Sequence, residues 1–152
     1  MKLLKYITIF LIINFSALAI GSWLMANGPQ TDWYIQLNKA PWTPPGWVFG
    51  AAWTTIMVCF SIYMGYLYQE KSNKIIALFT VQFVLNVIWN YIFFNQHMVG
   101  LGLVIIMLLT AVVTIFLFDY KTILKTKSLL ILPYFIWLCI ATSLNMYILI
   151  HN

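Results

Sequence analysis

The sequence predicts an all-α integral membrane protein, a five-transmembrane-helix bundle with a long first loop. The chain has 152 residues, of which 63% are hydrophobic and only 7% are charged, and its mean hydropathy is +0.91. Because an ordinary soluble domain carries about 25% charged residues, this composition excludes a water-soluble globule. A span needs about 20 apolar residues, so residues 1–152 are expected to form a single transmembrane domain with no room for a separate soluble one.

Five apolar runs are each long enough to cross a bilayer. Their approximate bounds are residues 3–26, 46–68, 75–94, 98–118 and 128–150. The proline-rich stretch 27–45 is the one long connection, and residues 31–38 within it are expected to form a short helix capped by Thr31 or Asp32. The other connections are short, which favours an up-down bundle of antiparallel neighbours with the first loop as a lid.

The basic residues predict how the bundle is oriented. All eight are lysines; with the N-terminus inside, Lys39 lies alone on the outer side and the inner side holds seven, namely Lys2, Lys5, Lys71, Lys74, Lys121, Lys125 and Lys127. Positive charge favours the cytoplasmic side, so we expect a cytoplasmic N-terminus in a bacterial plasma membrane. A cleaved signal peptide ending near Ala17-Leu18-Ala19 is the competing interpretation of the first run, although that run continues to Met25.

Several chemistries lack the residues that they need. The chain contains no arginine, which argues against nucleic-acid binding. Cys59 and Cys139 form no metal-binding pattern, so no metal site is expected. No span has an acidic or basic residue at its centre, which argues against a proton-driven pump. His97 and His151 lie near span ends without a nearby acid in sequence, which argues against hydrolysis.

Polar and aromatic side chains follow one face of three predicted spans. At 100° per residue, a stripe about 100° wide on the third span collects several of them: Gln82, Asn86, Trp89, Asn90, Phe93 and His97. The fifth span repeats the pattern with Tyr134, Trp137, Ala141 and Asn145, and the second aligns Trp53, Met57, Phe60 and Met64.

If these faces meet, they form a cavity with aromatic walls and a few hydrogen-bonding groups, suited to a flat and mostly apolar molecule. His97 would then be an additional hydrogen-bond donor to the ligand. The alternative is that the amides only join helices and that the aromatic rings form packing or interfacial belts. Periodicity does not choose between the two.

One dense motif resembles a known family. Three stretches are similar to the signature of the tryptophan-rich sensory protein and translocator protein family, also called peripheral-type benzodiazepine receptors. They are Trp33-Tyr34, the stretch from Leu37-Asn38-Lys39-Ala40-Pro41-Trp42-Thr43-Pro44-Pro45-Gly46-Trp47 to Gly50, and Trp53-Thr54. Further matching stretches are Gln82-Phe83, Leu85-Asn86, Trp89-Asn90 and Pro133-Tyr134, with Trp137 and Leu144-Asn145. The resemblance covers essentially the whole chain.

The resemblance implies a cavity under the first loop that binds a tetrapyrrole such as protoporphyrin IX, and also synthetic benzodiazepine-type or isoquinoline ligands. It further implies light-dependent oxidative degradation of the porphyrin, in which Trp53 and Trp137 are the reactive residues and no cofactor is used besides light and oxygen. The ligand contacts that it implies are Tyr34, Trp53, Asn86, Asn90, Phe93, Trp137 and Ala141.

The chain departs from the family pattern in two places. Ala40 stands where many members have proline, and no lysine or arginine follows Tyr147, so the sterol motif is incomplete. A homodimer is expected, and Ala17 and Gly21 are a candidate small-residue interface. The alternatives to degradation are a transporter or sensor that leaves its ligand intact, and a structural partner whose polar stripes only pack helices.

Overall fold

A computed structural model describes residues 1–152 and contains helices without any strand. Five of the helices are long and apolar enough to cross a membrane. They are α1 (Lys2–Leu24), α3 (Gly46–Leu67), α4 (Asn73–Asn90), α5 (Val99–Asp119) and α7 (Leu132–His151). The predicted all-α membrane bundle is therefore confirmed.

Short elements join the long helices. Within the first loop, a 3₁₀ turn at Gly28–Gln30 precedes α2 (Asp32–Gln36), whose N-cap Thr31 accepts a hydrogen bond from the Tyr34 amide. Further 3₁₀ segments cover Tyr68–Glu70 and Lys125–Ile131, α6 covers Lys121–Leu124, and α4 continues as a π-helical turn at Tyr91–Asn95. The last long helix starts later than expected, with proline in its first turn, where the missing amide proton costs nothing.

The five long helices form a closed ring in the order α1, α3, α7, α5, α4. This order corrects the expectation that all consecutive helices are neighbours, because α1 lies between α3 and α4. Five connecting residues reach about 17 Å when extended, which exceeds the 8–10 Å that separates packed helices. The short 68–72 connection can therefore skip a neighbour, and Lys71 makes the turn with a φ of 48°.

The half of the bundle farthest from the first loop is filled by its own side chains. Phe60 is fully buried and its ring lies close to those of Phe79, Phe116 and Tyr134, with centroids 6.0, 5.8 and 5.3 Å away. Met57 and Met64 are also fully buried in this core. The apolar face predicted on the second span is thus inward, but Met57, Phe60 and Met64 belong to the core and only Trp53 lines the cavity beneath the first loop.

Small residues bring helices close together inside the protomer. A Cβ added to Gly21 would lie 2.7 Å from the Asn90 side chain. Ala17 is only 3% exposed. The proposed dimer interface on Ala17 and Gly21 is therefore wrong, because both residues face the interior of their own bundle.

Candidate functional site

A cavity of about 520 Å³ lies in the half of the bundle beneath the first loop. All five long helices and the loop contribute to its wall. Its size falls in the range of about 300 to 1,000 Å³ that is typical of small-molecule sites. Six of the eight residues predicted to contact a ligand line this cavity: Tyr34, Trp53, Asn86, Asn90, Trp137 and Ala141.

Three tryptophans line the cavity, and two of them, Trp53 and Trp137, come from the neighbouring helices α3 and α7. The indole of Trp53 meets Tyr134 edge-on at a centroid distance of 6.0 Å, and Trp137 meets Phe49 in the same manner at 5.2 Å. Edge-to-face contacts of this kind fix ring orientation. Both indoles are therefore held by a neighbouring ring and present an apolar surface to the cavity.

Helix α4 contributes two side-chain amides to the wall, those of Asn86 and Asn90. The Asn90 side chain donates a hydrogen bond to the Asn86 carbonyl at 3.2 Å, whereas the Asn86 side-chain amide has no hydrogen-bond partner in the protein. The Asn86 amide is not among the buried side-chain polar atoms that lack a partner, which are Gln82 Oε1 and the Tyr120 hydroxyl, so it is accessible from the cavity. The Asn86 side chain is thus the group in this wall best placed to donate to, or accept from, a bound molecule.

Two predicted contacts lie outside this cavity. Phe93 is buried and faces a small space next to the cavity, while His97 is exposed and stacks on Trp33 with centroids 4.0 Å apart. The prediction assumed 100° per residue along the whole span, but residues 91–95 form a π-helical turn with more residues per turn. The side chains beyond Asn90 are therefore rotated, and His97 lies outside this cavity.

The first loop is attached to the bundle at two edges. On the α4 side, Trp33 stacks on His97, and on the α7 side the Asn38 amide donates to the Asn152 side chain at 2.8 Å. The indole of Trp42 also donates to the Ser143 hydroxyl at 3.1 Å. These attachments hold the loop over the cavity. Sequence reasoning missed Asn38 and Trp42 in this role because their partners are more than 100 residues away along the chain.

Tyr34 and Lys39 are the titratable side chains in the cavity wall, and both belong to the loop. The Lys39 ammonium lies 4.7 Å from the centre of the Tyr34 ring and donates to the Ile35 carbonyl. Burial raises the pKa of the Tyr34 hydroxyl above its ordinary value of 10.0, so this group stays a neutral hydrogen-bond donor at physiological pH. The wall contains no carboxylate or imidazole, and thus no acid–base pair.

The other predicted polar residues join helices instead. Gln82 donates to the Tyr134 hydroxyl at 2.7 Å. Asn145 donates to the Val99 carbonyl and accepts a hydrogen bond from Trp89. The two interpretations of the polar stripes thus apply to different residues: Gln82 and Asn145 pack helices, whereas Asn86 and Asn90 line the cavity.

One side of the cavity is built from residues that also face the outside of the bundle. Gly46, Gly50 and Thr54 of α3, together with Ser22 of α1, are exposed and line the cavity. A Cβ on Gly46 or Gly50 would meet no atom within 4 Å. The cavity therefore opens between α1 and α3. Sequence reasoning missed these residues, although two glycines four residues apart on one helix face were an available signal.

The fold and cavity together define a helical membrane protein with an internal site of ligand-binding size. A family model for the TspO/MBR family matches residues 9–151, and the chain belongs to this family. A tryptophan-rich protein TspO of Archaeoglobus fulgidus is 34% identical, with 100% of this chain and 97% of that protein covered.

Two other relatives extend the comparison. A tryptophan-rich sensory protein of Cereibacter sphaeroides is 31% identical over 75% of this chain and 73% of its own length. The human translocator protein is 31% identical over 78% of this chain and 74% of its own length. The resemblance noted in the sequence is therefore confirmed at the level of the family.

Proposed function

We propose that this protein binds a tetrapyrrole such as protoporphyrin IX in the cavity and promotes its light-dependent oxidative degradation. The observation that carries the proposal is that Trp53 and Trp137 both line one cavity of about 520 Å³, together with the free amide of Asn86. A tetrapyrrole is flat, conjugated and mostly apolar. Aromatic walls with few fixed polar groups suit such a molecule.

The ends of the ligand would meet different groups. Protoporphyrin carries two carboxylates, and Lys39 is the one cation in the cavity wall. An ammonium beside a carboxylate in a partly dry site forms a charge-assisted hydrogen bond. We therefore expect the carboxylate edge of the porphyrin beneath the first loop and its apolar edge against the indoles of Trp53 and Trp137.

The proposed chemistry does not use acid–base groups. The bound porphyrin absorbs light and activates molecular oxygen, whose atoms are then added to the macrocycle. The indoles of Trp53 and Trp137 lie against the ligand and react with, or transfer electrons to, the activated species, which directs where the ring opens. The protein contributes position and exclusion of water.

The test compares illuminated protein with its variants. We expect Trp53→Phe and Trp137→Phe to slow loss of the porphyrin absorption band roughly tenfold, equivalent to about 1.4 kcal/mol in the barrier. Trp47→Phe is the matched control, since Trp47 is 75% exposed and does not line the cavity. Titration in the dark measures binding separately. Degradation at the wild-type rate in both cavity variants would refute the proposed chemistry.

A transporter or sensor is the second candidate function, and the opening between α1 and α3 favours it. Gly46 and Gly50 leave space through which a lipophilic ligand could exchange with the bilayer. In that case porphyrin is recovered intact after illumination. Porphyrin flux into proteoliposomes then separates a transporter from a sensor, which binds its ligand without net flux.

Further parts of the proposal concern partners and location. The same cavity would accept benzodiazepine-type ligands, which are also aromatic and mostly apolar, in competition with the porphyrin. We also propose a homodimer, through a surface other than Ala17 and Gly21, in a bacterial plasma membrane with the N-terminus in the cytoplasm. Cross-linking in membranes tests the dimer.

A further inference from the structure

A second opening lies at the opposite end of the bundle from the cavity. It is a groove of about 380 Å³ between α1 and α4, floored by the end of α3. Its origin is the close approach of α1 to α3: a Cβ on Gly65 would lie 2.5 Å from the Ile7 side chain. Because α1 is drawn onto α3 here, a gap remains on its α4 side.

The surface of the groove is apolar and aromatic. Phe10 lines it, with its ring centroid 5.6 Å from that of Tyr68 and 5.0 Å from that of Phe79, both in edge-to-face contact. Ile9 and Ile76 are 41% and 46% exposed and line the groove from α1 and α4. A hydrocarbon chain packs well against such a surface.

The groove lies at the end of the bundle that carries most of the lysines. Lys5 is the one charged residue in its wall, and it is exposed. The structure has a single salt bridge, between Lys74 and Asp119, so Lys5 has no carboxylate partner. This end of the bundle carries seven lysines against the carboxylates of Glu70 and Asp119.

Two tyrosines add hydrogen-bonding capacity to the groove. Tyr6 and Tyr68 line it, and their rings meet edge-on with centroids 5.0 Å apart. Neither hydroxyl forms a hydrogen bond within the protein. Tyrosines at this depth in a membrane protein are typical of the headgroup level, where one end of the ring is apolar and the other is polar.

We propose that this groove binds an anionic phospholipid, with an acyl chain between α1 and α4 and the phosphate at Lys5. Basic pockets between transmembrane helices bind anionic headgroups in this manner. The apolar floor of the groove provides affinity for the acyl chain, and the unpaired Lys5 ammonium provides a preference for anionic headgroups. The site is separate from the porphyrin cavity, so this proposal can be tested independently of the proposed function.

The test measures lipid retained by the 152-residue protein in detergent, by native mass spectrometry during titration with phosphatidylglycerol or phosphatidylcholine. We expect retention of phosphatidylglycerol and little of phosphatidylcholine. Lys5→Gln should weaken phosphatidylglycerol binding about fivefold, the effect of one lysine near an anionic headgroup. Lys121→Gln, at the same end but outside the groove, should have a much smaller effect.

The acyl chain is tested by filling the groove. Ile76→Trp should abolish retention, whereas Val81→Trp should not, because Val81 is equally exposed on α4 at 46% but does not line the groove. Equal losses from Lys5→Gln and Lys121→Gln would show attraction to diffuse charge and overturn the proposal. So would equal retention of the two lipids, or unchanged retention in the Ile76 variant.

Discussion

Gly28 shows how a single residue fixes the first loop on the bundle. It is buried, and a Cβ at this position would lie 2.4 to 2.6 Å from the Phe94 side chain, closer than real Cβ atoms approach. Phe94 belongs to the π-helical turn and also lines the cavity. Glycine therefore lets the loop lie directly on the end of α4.

We expect Gly28→Ala to lower the free energy of unfolding by about 1 to 3 kcal/mol, because an extra carbon in a packed site forces its neighbours to move. Gly50→Ala is the control, since a Cβ there meets nothing within 4 Å; this change should be neutral or raise stability by up to about 1 kcal/mol. Denaturant unfolding in detergent measures both. Equal effects of the two substitutions would contradict the packing argument.

The side-chain amides of α4 show how much helical periodicity predicts about single residues. Asn86 and Asn90 fall on the inward face by spacing alone, and both line the cavity. Gln82 lies on the same face, but the hydrogen bonding of the two side chains differs: Gln82 donates to Tyr134 of α7, whereas the Asn86 side chain has no partner in the protein. Spacing identifies the face of a helix, but it does not reveal which residues of that face meet a partner and which meet an empty space.

At the scale of elements, the first loop and the end of α4 behave as one unit. The stacked pair of Trp33 and His97 joins them, and Trp33 also meets Phe93 edge-on at 5.8 Å. His97 reaches this position with a φ of 56°, directly after the π-helical turn. The change of pitch therefore moves His97 out of the cavity and brings it under the loop.

We expect Trp33→Leu to loosen the loop, because an aromatic pair contributes about 0.5 to 1.5 kcal/mol beyond its buried area. Amide hydrogen exchange over residues 31–40 should accelerate, and protoporphyrin IX should dissociate about two- to tenfold faster. Trp47→Leu is the matched control, since Trp47 forms no aromatic pair and is exposed. Unchanged exchange in the Trp33 variant would show that other contacts hold the loop.

Helix pitch explains why the elements could be predicted only in part. The existence of all five spans follows from hydropathy, and the inward faces follow from an ideal helix as far as Asn90. Beyond that residue, the π-helical turn adds an extra residue per turn that composition does not reveal. An ideal helix predicts Phe93 and His97 in the cavity, and the structure places neither of them there.

For the whole molecule, the bundle has two chemically different ends. The end with the first loop contains Lys39 as its one lysine and holds the cavity, whereas the opposite end carries the other seven lysines. The ring order of the helices was beyond sequence reasoning, because a short connection limits the distance between helices without requiring that they be neighbours. The filling of the opposite half by Phe60 and its neighbours likewise depends on this order.

The lysine distribution predicts that the N-terminus lies in the cytoplasm. In a background of Cys59→Ala and Cys139→Ala, we expect Lys71→Cys to react with a membrane-impermeant maleimide only after the cells are lysed. Gln30→Cys, which is exposed at the other end, should react in intact cells. The reverse pattern of labelling would show the opposite orientation.

The position of α7 in the ring also has a consequence for biosynthesis. It emerges from the ribosome after the other four long helices, yet it lies between α3 and α5. Until α7 inserts, Gln82 lacks the Tyr134 hydroxyl to which it donates, and a gap between α3 and α5 is exposed to lipid. The binding cavity is therefore completed only when α7 inserts, because this helix brings Trp137 into the wall.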